Sequence, residues 1–186
     1  MKAAGKVKAK GKEDLKILVA DDMITMRHTI RNMLRHLGYV HILESEDGVS
    51  AWNKLSIGRI DVAIVDWNMP NMSGITLLKK ARQDDRLTDL PFIMVTAEVA
   101  EETIAEAAET DVDAYIIKPF VAKTLDEKIE QVLERKTNPS PLDTHLRLAS
   151  VFTNAGQYNK ATSELKTALV VQPNSPRVFT AFGDLY

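Results

Sequence analysis

Three carboxylates, a hydroxyl and an amine stand at the ends of short apolar runs in this chain. Asp21 and Asp22 follow Ile17-Leu18-Val19-Ala20, and Asp66 closes Val62-Ala63-Ile64-Val65. Thr96 closes Phe92-Ile93-Met94-Val95, and Lys118 follows Ala114-Tyr115-Ile116-Ile117. Carboxylates held close together repel one another, and one of them retains a proton unless a cation intervenes. Their oxygens suit a hard divalent ion such as Mg²⁺, which takes few protein ligands and keeps several waters. His28, His36, His41 and His145 have no metal-ligand spacing among themselves, and the absence of cysteine removes thiolate ligands and thiolate catalysis. A cation beside a carboxylate, with Lys118 and Thr96 facing it, is equipment for phosphoryl transfer. The carboxylate attacks phosphorus, the cation and Lys118 offset the oxygens' charge, and Thr96 donates a hydrogen bond. Taken singly, Asp21 or Asp22 reads equally well as a helix cap and Asp66 as the start of a turn. Four separate strand ends supplying the right groups favour the shared site.

Those groups must be positioned by strands. The runs at 62–65 and 92–95 are β-branched and apolar on both faces, as buried parallel strands require. His41-Ile42-Leu43 is weaker and belongs nearer a sheet edge. Ile30, Met33, Leu34 and Leu37 fall at helical spacing, with Gly38 as a stop. Leu125, Ile129, Val132 and Leu133 mark a last helix running to about Lys136, and segments 49–57, 74–83 and 99–109 read as the other three. Strands alternating with helices over short links give right-handed βαβ units and a parallel sheet. In an open sheet of this kind, ligands bind where loops leave the carboxyl ends of the strands. That is where the five polar groups sit.

The chain has 186 residues, 45% hydrophobic and 27% charged, the balance of a globular protein. No stretch reaches the roughly 18–20 apolar residues needed to span a bilayer, and the N-terminal lysines have no apolar core behind them as a secretory signal requires. Lack of cysteine fits a cytoplasmic, reducing setting. Residues 1–12 carry five lysines and no acid, and read as a disordered basic tail. The remainder holds 19 basic against 26 acidic residues, and that acidic surplus argues against nucleic-acid binding by the folded body.

Residues 137–141, Thr-Asn-Pro-Ser-Pro, read as a linker. Beyond it the pattern is helical only, with a period of 34. His145-x2-Leu148-Ala149-x2-Phe152 reappears as Phe179-x2-Phe182-Gly183-x2-Tyr186. Ala161, Leu165, Ala168 and Pro173 follow the first copy, with Gly156 at the inter-helix turn. Residues 142–186 thus resemble a tetratricopeptide repeat (TPR) region, one full repeat and the first helix of a second, with a generic helical hairpin as the plainer reading. Such arrays need about three repeats, so a fragment of a longer protein is expected.

Residues 13–136 resemble the receiver domain of two-component response regulators, in its CheY-like form. The likeness is carried by Asp21-Asp22, by Asp66-Trp67-Asn68-Met69-Pro70-Asn71-Met72, by Met94-Val95-Thr96-Ala97-Glu98 and by Lys118-Pro119-Phe120. It implies a five-stranded, parallel, doubly wound sheet of flavodoxin-like order. It implies that Asp66 takes a phosphoryl group from the phosphohistidine of a partner histidine kinase. It implies that Asp22, Asp66 and the Asn68 carbonyl ligate Mg²⁺, with Asp21 acting through water, and that Lys118 contacts the phosphoryl group across a cis bond to Pro119. Thr96 and Tyr115 become a switch pair, and Asn68 and Glu98 tune hydrolysis. Such a module turns over no external substrate. Its output is a protein contact through the receiver's switch face and the TPR scaffold. The acidic helix after Thr96 (Glu98, Glu101, Glu102, Glu106, Glu109) departs from the pattern, so a flagellar-motor partner is not carried over. Three other readings compete: an unphosphorylated pseudo-receiver used for docking, a haloacid-dehalogenase-type phosphatase, and a flavodoxin-like electron carrier. The phosphatase expects an acid where Asn68 stands, and the flavin site expects donors where Asp21 and Asp22 stand.

Overall fold

A computed structural model of the chain describes residues 10–97, 112–183 and 185. Five strands, β1 (Lys16–Ala20), β2 (His41–Ser45), β3 (Val62–Asp66), β4 (Phe92–Thr96) and β5 (Ala114–Ile117), form one parallel sheet in the order β2-β1-β3-β4-β5. Between and after them run α1 (Ile24–His36), α2 (Gly48–Ile57), α3 (Gly74–Arg82) and α4 (Ala122–Thr137). The expected helix at 99–109 lies outside the described residues.

Side-chain alternation along each strand assigns the two faces. Ile17, Val19, Ile64, Ile93, Val95 and Ile116 pack with Ile30 and Leu34 of α1 and with Leu125, Ile129 and Val132 of α4. Leu18, Ala20, Ala63, Val65, Phe92 and Met94 pack with Ala51 and Leu55 of α2 and with Leu77 and Leu78 of α3. Helices on both faces are the doubly wound arrangement expected. The weak strand proves two residues longer than its apolar run: Glu44 and Ser45 pair with Val19 and Ala20. An edge strand has one wet side, so polar residues do not end it.

Two expected boundaries need correction. The last residues of the tail expected to be disordered are tied to the body. Lys12 to Asp14 form a 3-10 turn, Lys10 pairs with Asp61 at 2.8 Å, and Lys12 pairs with Asp126 at 2.6 Å and Glu130 at 3.1 Å. Residues 1–9 lie outside the described region. The linker is also shorter than 137–141, because α4 continues through Thr137 and Pro141 is already helical. Proline is tolerated in the first helical turn, and Ser140 with Asp143 forms a reciprocal capping box there.

Three helices follow: α5 (Pro141–Asn154), α6 (Tyr158–Val171) and α7 (Pro176–Gly183). Ala149, Ala161, Leu165, Ala168 and Val178 are buried among them. Gly156 takes the left-handed conformation (φ 70°) in the turn between α5 and α6. Among the described residues, no helix is long and apolar enough to cross a membrane.

Candidate functional site

Strand register brings the chemical groups to one edge. Ala20, Val65, Met94 and Tyr115 lie side by side across the sheet, and Asp66, Val95 and Ile116 form the next row, so the groups at these strand ends share its carboxyl edge. Asp21 is 1% exposed and Asp66 7%. Lys118 Nζ donates to Asp21 Oδ2 at 2.8 Å and to Asp66 Oδ1 at 2.5 Å. Asp21 Oδ1 accepts the Met23 N–H (2.8 Å), and Asp66 Oδ2 accepts the Asn68 N–H (3.1 Å). Lys118 is itself anchored, since its N–H donates to Thr96 O at 2.8 Å and its bond to Pro119 is cis.

This arrangement is under-compensated. Burial raises the Asp66 pKa above the usual carboxylate range, and the Asp21 charge adds to that, while Lys118 and the Asn68 N–H pull the other way without cancelling it. Burial lowers the Lys118 pKa, but hydrogen bonds and charge from Asp21 and Asp66 outweigh burial and leave it raised. The lysine therefore keeps its proton, and one positive charge faces two negative ones. A further cation, or an electrophile that consumes negative charge, is what such a cluster accommodates.

The expected site is assembled in part. Asp21, Asp66 and Lys118 come together, whereas Asp22 next to them is exposed. Among the described residues, no group of three or more acid or imidazole side chains is gathered as a metal cluster. The Lys118 ammonium offsets part of the carboxylate charge, and Asp22 stands exposed beside the pair. Asn68 is exposed. Thr96, 6% exposed, ends β4 with its carbonyl bonded to Lys118. Tyr115 is 51% exposed, on the outward side of a strand whose Ala114 and Ile116 are buried. Glu98 lies outside the described residues.

Several residues that build the site carry no chemistry, and two of them, Gly48 and Gly74, were not singled out in the sequence. A β-carbon on Gly74 would lie 2.1 Å from the Asp66 carbonyl oxygen, and one on Gly48 would lie 2.2 Å from the Met72 carbonyl oxygen. Only glycine permits such close approach. Between them the loop after Asp66 folds back. Asn71 sits at φ 64° and donates to Asp47 Oδ2 at 2.6 Å, and the Gly74 N–H returns to Trp67 O at 3.0 Å. Asn71 and Gly74 three residues apart, directly after a strand, are the turn signal that marks this loop.

Comparison with known proteins agrees with the geometry. Residues 17–130 match the response regulator receiver domain family. The chain is 49% identical over 121 residues to the chemotaxis protein CheY of Pseudomonas aeruginosa, covering 65% of this chain and 98% of that protein. It is 47% identical over 123 residues to CheY-3 of Vibrio cholerae, covering 66% and 95%. The solved structure of chemotaxis protein CheY4 of Vibrio cholerae superposes with a TM-score of 0.60 at 31% identity, over 63% of this chain and 98% of that one. A CheY-like receiver domain from Methanospirillum hungatei gives 0.62 at 28% identity, over 68% and 99%. These matches cover the sheet domain.

Proposed function

The chain belongs to the response regulator receiver family, acting in two-component signalling, and on that footing we propose that Asp66 is its phosphoacceptor. The carrying observation is Lys118 Nζ held between Asp21 and Asp66 at the strand edge. An Asp66 oxygen attacks the phosphorus of a kinase phosphohistidine. The P–N bond breaks, its electron pair stays on the imidazole, and a P–O bond makes an acyl phosphate. Lys118, already within hydrogen-bond reach of Asp66 and firmly protonated, turns to the incoming phosphoryl oxygens.

The donors fit Mg²⁺, being all oxygen, with a surplus of carboxylate over ammonium charge. Asp22, Asp66 and the Asn68 carbonyl would hold the ion, and Asp21 would act through water. When bound, the ion supplies charge neutralisation at the phosphoryl group. Acylation of Asp66 adds nearly two negative charges at the end of β3. The Thr96 hydroxyl follows that charge, and Tyr115, now exposed, turns inward to fill the space released. A differential contact of a few kcal/mol suffices to shift the balance of two such states. Asn68 and Glu98 flank the site and tune loss of the group to water.

The output is a protein contact through the switch face around Tyr115 and through residues 142–186 as a TPR scaffold. Burial of the small residues Ala149, Ala161 and Ala168 between helices, the left-handed Gly156 and the 34-residue period support that scaffold reading. The chain acts in the cytoplasm as a switch and turns over no external substrate.

The test is incubation with Mg²⁺ and acetyl phosphate, followed by detection of a base-labile label. The native chain takes up one phosphoryl group per molecule and Asp66→Asn takes up none. Equal labelling of the two overturns the assignment. Steady release of phosphate from p-nitrophenyl phosphate favours the phosphatase reading, and absence of label in both favours a pseudo-receiver.

A further inference from the structure

Among the described residues, Asp22 is the acid of the site that no side chain restrains. It is exposed, and among the described residues no donor reaches its carboxylate. Its backbone is held firmly. Arg27, one turn into α1 with its side chain 12% exposed, places Nη1 at 2.7 Å from Asp21 O and 3.1 Å from Asp22 O. The two hydrogens of that nitrogen diverge in the guanidinium plane, so a single group serves both carbonyls. Those carbonyls belong to the peptide planes on either side of Asp22. Fixing both planes fixes its φ and ψ, and with them the direction of its Cα–Cβ bond.

Arg27 is itself restrained. Its N–H donates to Met23 O at 3.0 Å in the first turn of α1, and Nε lies 3.9 Å from Glu44. Glu44 is held in turn by Arg31 at 2.7 Å. The edge strand supports the loop from the other side, because Asp21 N–H donates to Ser45 O at 3.2 Å.

We infer that Arg27 is a positioning residue that pre-aims the Asp22 carboxylate for the divalent cation by holding the two carbonyls around it. The inference rests on the proposed Mg²⁺ site and adds what organises that site before the ion arrives. Arg27 opposes cation binding by its charge and favours it by its geometry, and the proposal states that geometry dominates. Groups that orient metal ligands are commonly worth about tenfold or more in affinity.

The experiment uses the full chain and MgCl₂ titrations followed by tryptophan fluorescence, Trp67 being the buried neighbour of Asp66. Arg27→Met keeps the apolar stem and removes donor and charge. Arg27→Lys keeps the charge and restores donors on a shorter reach. The expected order of Mg²⁺ Kd is native, then Arg27→Lys, then Arg27→Met, with the last weaker by roughly tenfold. Melting curves in EDTA confirm that each variant is folded at the titration temperature. Tighter binding by Arg27→Met, the outcome of charge acting alone, overturns the proposal. Unchanged Kd values in folded variants overturn it too, leaving Arg27 a purely structural role. A native chain that shows no saturable Mg²⁺ response overturns the metal reading itself, which separates the two failures. Should Arg27→Met not fold, the Arg27→Lys comparison with the native chain decides alone.

Discussion

At the carboxyl ends of the strands one ammonium serves two buried carboxylates, while at the amino ends of β4 and β5 the proportions are reversed. There Asp113 accepts from Arg82 at 2.8 Å and from the Phe92 N–H at 2.7 Å, and its carbonyl accepts from Arg135 at 3.2 Å. Arg82 also donates to Thr88 O and Leu90 O at 3.0 and 2.9 Å, and its guanidinium lies over the Phe92 ring. At that end the carboxylate is met by a guanidinium and a backbone N–H together. At the other end the Asp66 carboxylate sits above its ordinary pKa because its surroundings do not repay its burial. Two ion-paired clusters on the same sheet thus differ in purpose. One closes the structure, and the other leaves charge for an incoming partner to balance.

Breaking the first cluster has the larger effect. Arg82→Ala removes a charged donor from Asp113 and from the Thr88 and Leu90 carbonyls, together with the guanidinium over Phe92. It is expected to cost about 4 kcal/mol, each hydrogen bond to a charged group contributing about 1.5 kcal/mol or less at this partly exposed site. Chemical denaturation measures this, and the loss is the same with Mg²⁺ or EDTA. Lys118→Met attacks the second cluster and strands two neighbouring carboxylates. Its expected cost at pH 7 is about 2–3 kcal/mol, at the low end for breaking a buried pair, because one acid can take up a proton. That cost shrinks as pH falls toward 4 and shrinks again when Mg²⁺ is added, since a ligand of the native state stabilises it. A Mg²⁺-independent loss at Lys118 erases the contrast between the two ends.

How much of this was legible depended on whether a feature repeats along the chain or spans it. Val62–Val65 and Phe92–Val95 announce buried strands because burial on both faces leaves nothing but apolar residues. Asp21, Asp66 and Lys118 were readable because each ends such a run, and parallel strands align their ends. That Lys118 would bind both acids and leave Asp22 in water is a matter of side-chain torsion, which spacing does not encode. The Arg82–Asp113 cluster and the carbonyls held by Arg27 have no periodicity, and a donor to a backbone carbonyl leaves no mark on the accepting residue. The tail lysines were read as solvated because their acids, Asp61 and Asp126, are 51 and 114 residues away. Tyr39, whose hydroxyl donates to the same Asp126 at 2.9 Å, was missed for the same reason.

The contrast sharpens with Asp66→Asn. Burial first, then the Asp21 charge, raises the Asp66 pKa in the folded chain. A carboxyl raised in this way favours folding fully below its unfolded value, near 3.8, and the contribution is lost as pH rises through the folded value. At neutral pH the ionised group is therefore a cost. Asp66→Asn in EDTA melts a few degrees above the native chain at pH 7, and the difference closes as pH approaches 4. Should the substitution lower the melting temperature at pH 7, the Lys118 pair outweighs burial, and both ends of the strands are structural clusters alike.

The smallest effect is expected where charge is neither buried nor networked. Arg147 on α5 lies 3.6 Å from Asp89 in the loop after α3, with side chains 66% and 57% exposed. Water and salt screen such a pair, and holding two mobile side chains together offsets most of the attraction. Arg147→Ala is expected to move the melting temperature by no more than about 2 °C, and the same shift follows from raising NaCl with the native chain. A larger drop, absent in Asp89→Ala, assigns Arg147 a packing role through its methylene stem. A larger drop shared by both single variants, and not deepened in the double variant, makes the pair a third cluster joining the sheet domain to the helices that follow. In that event burial no longer separates the charges that shape this molecule from those that decorate it.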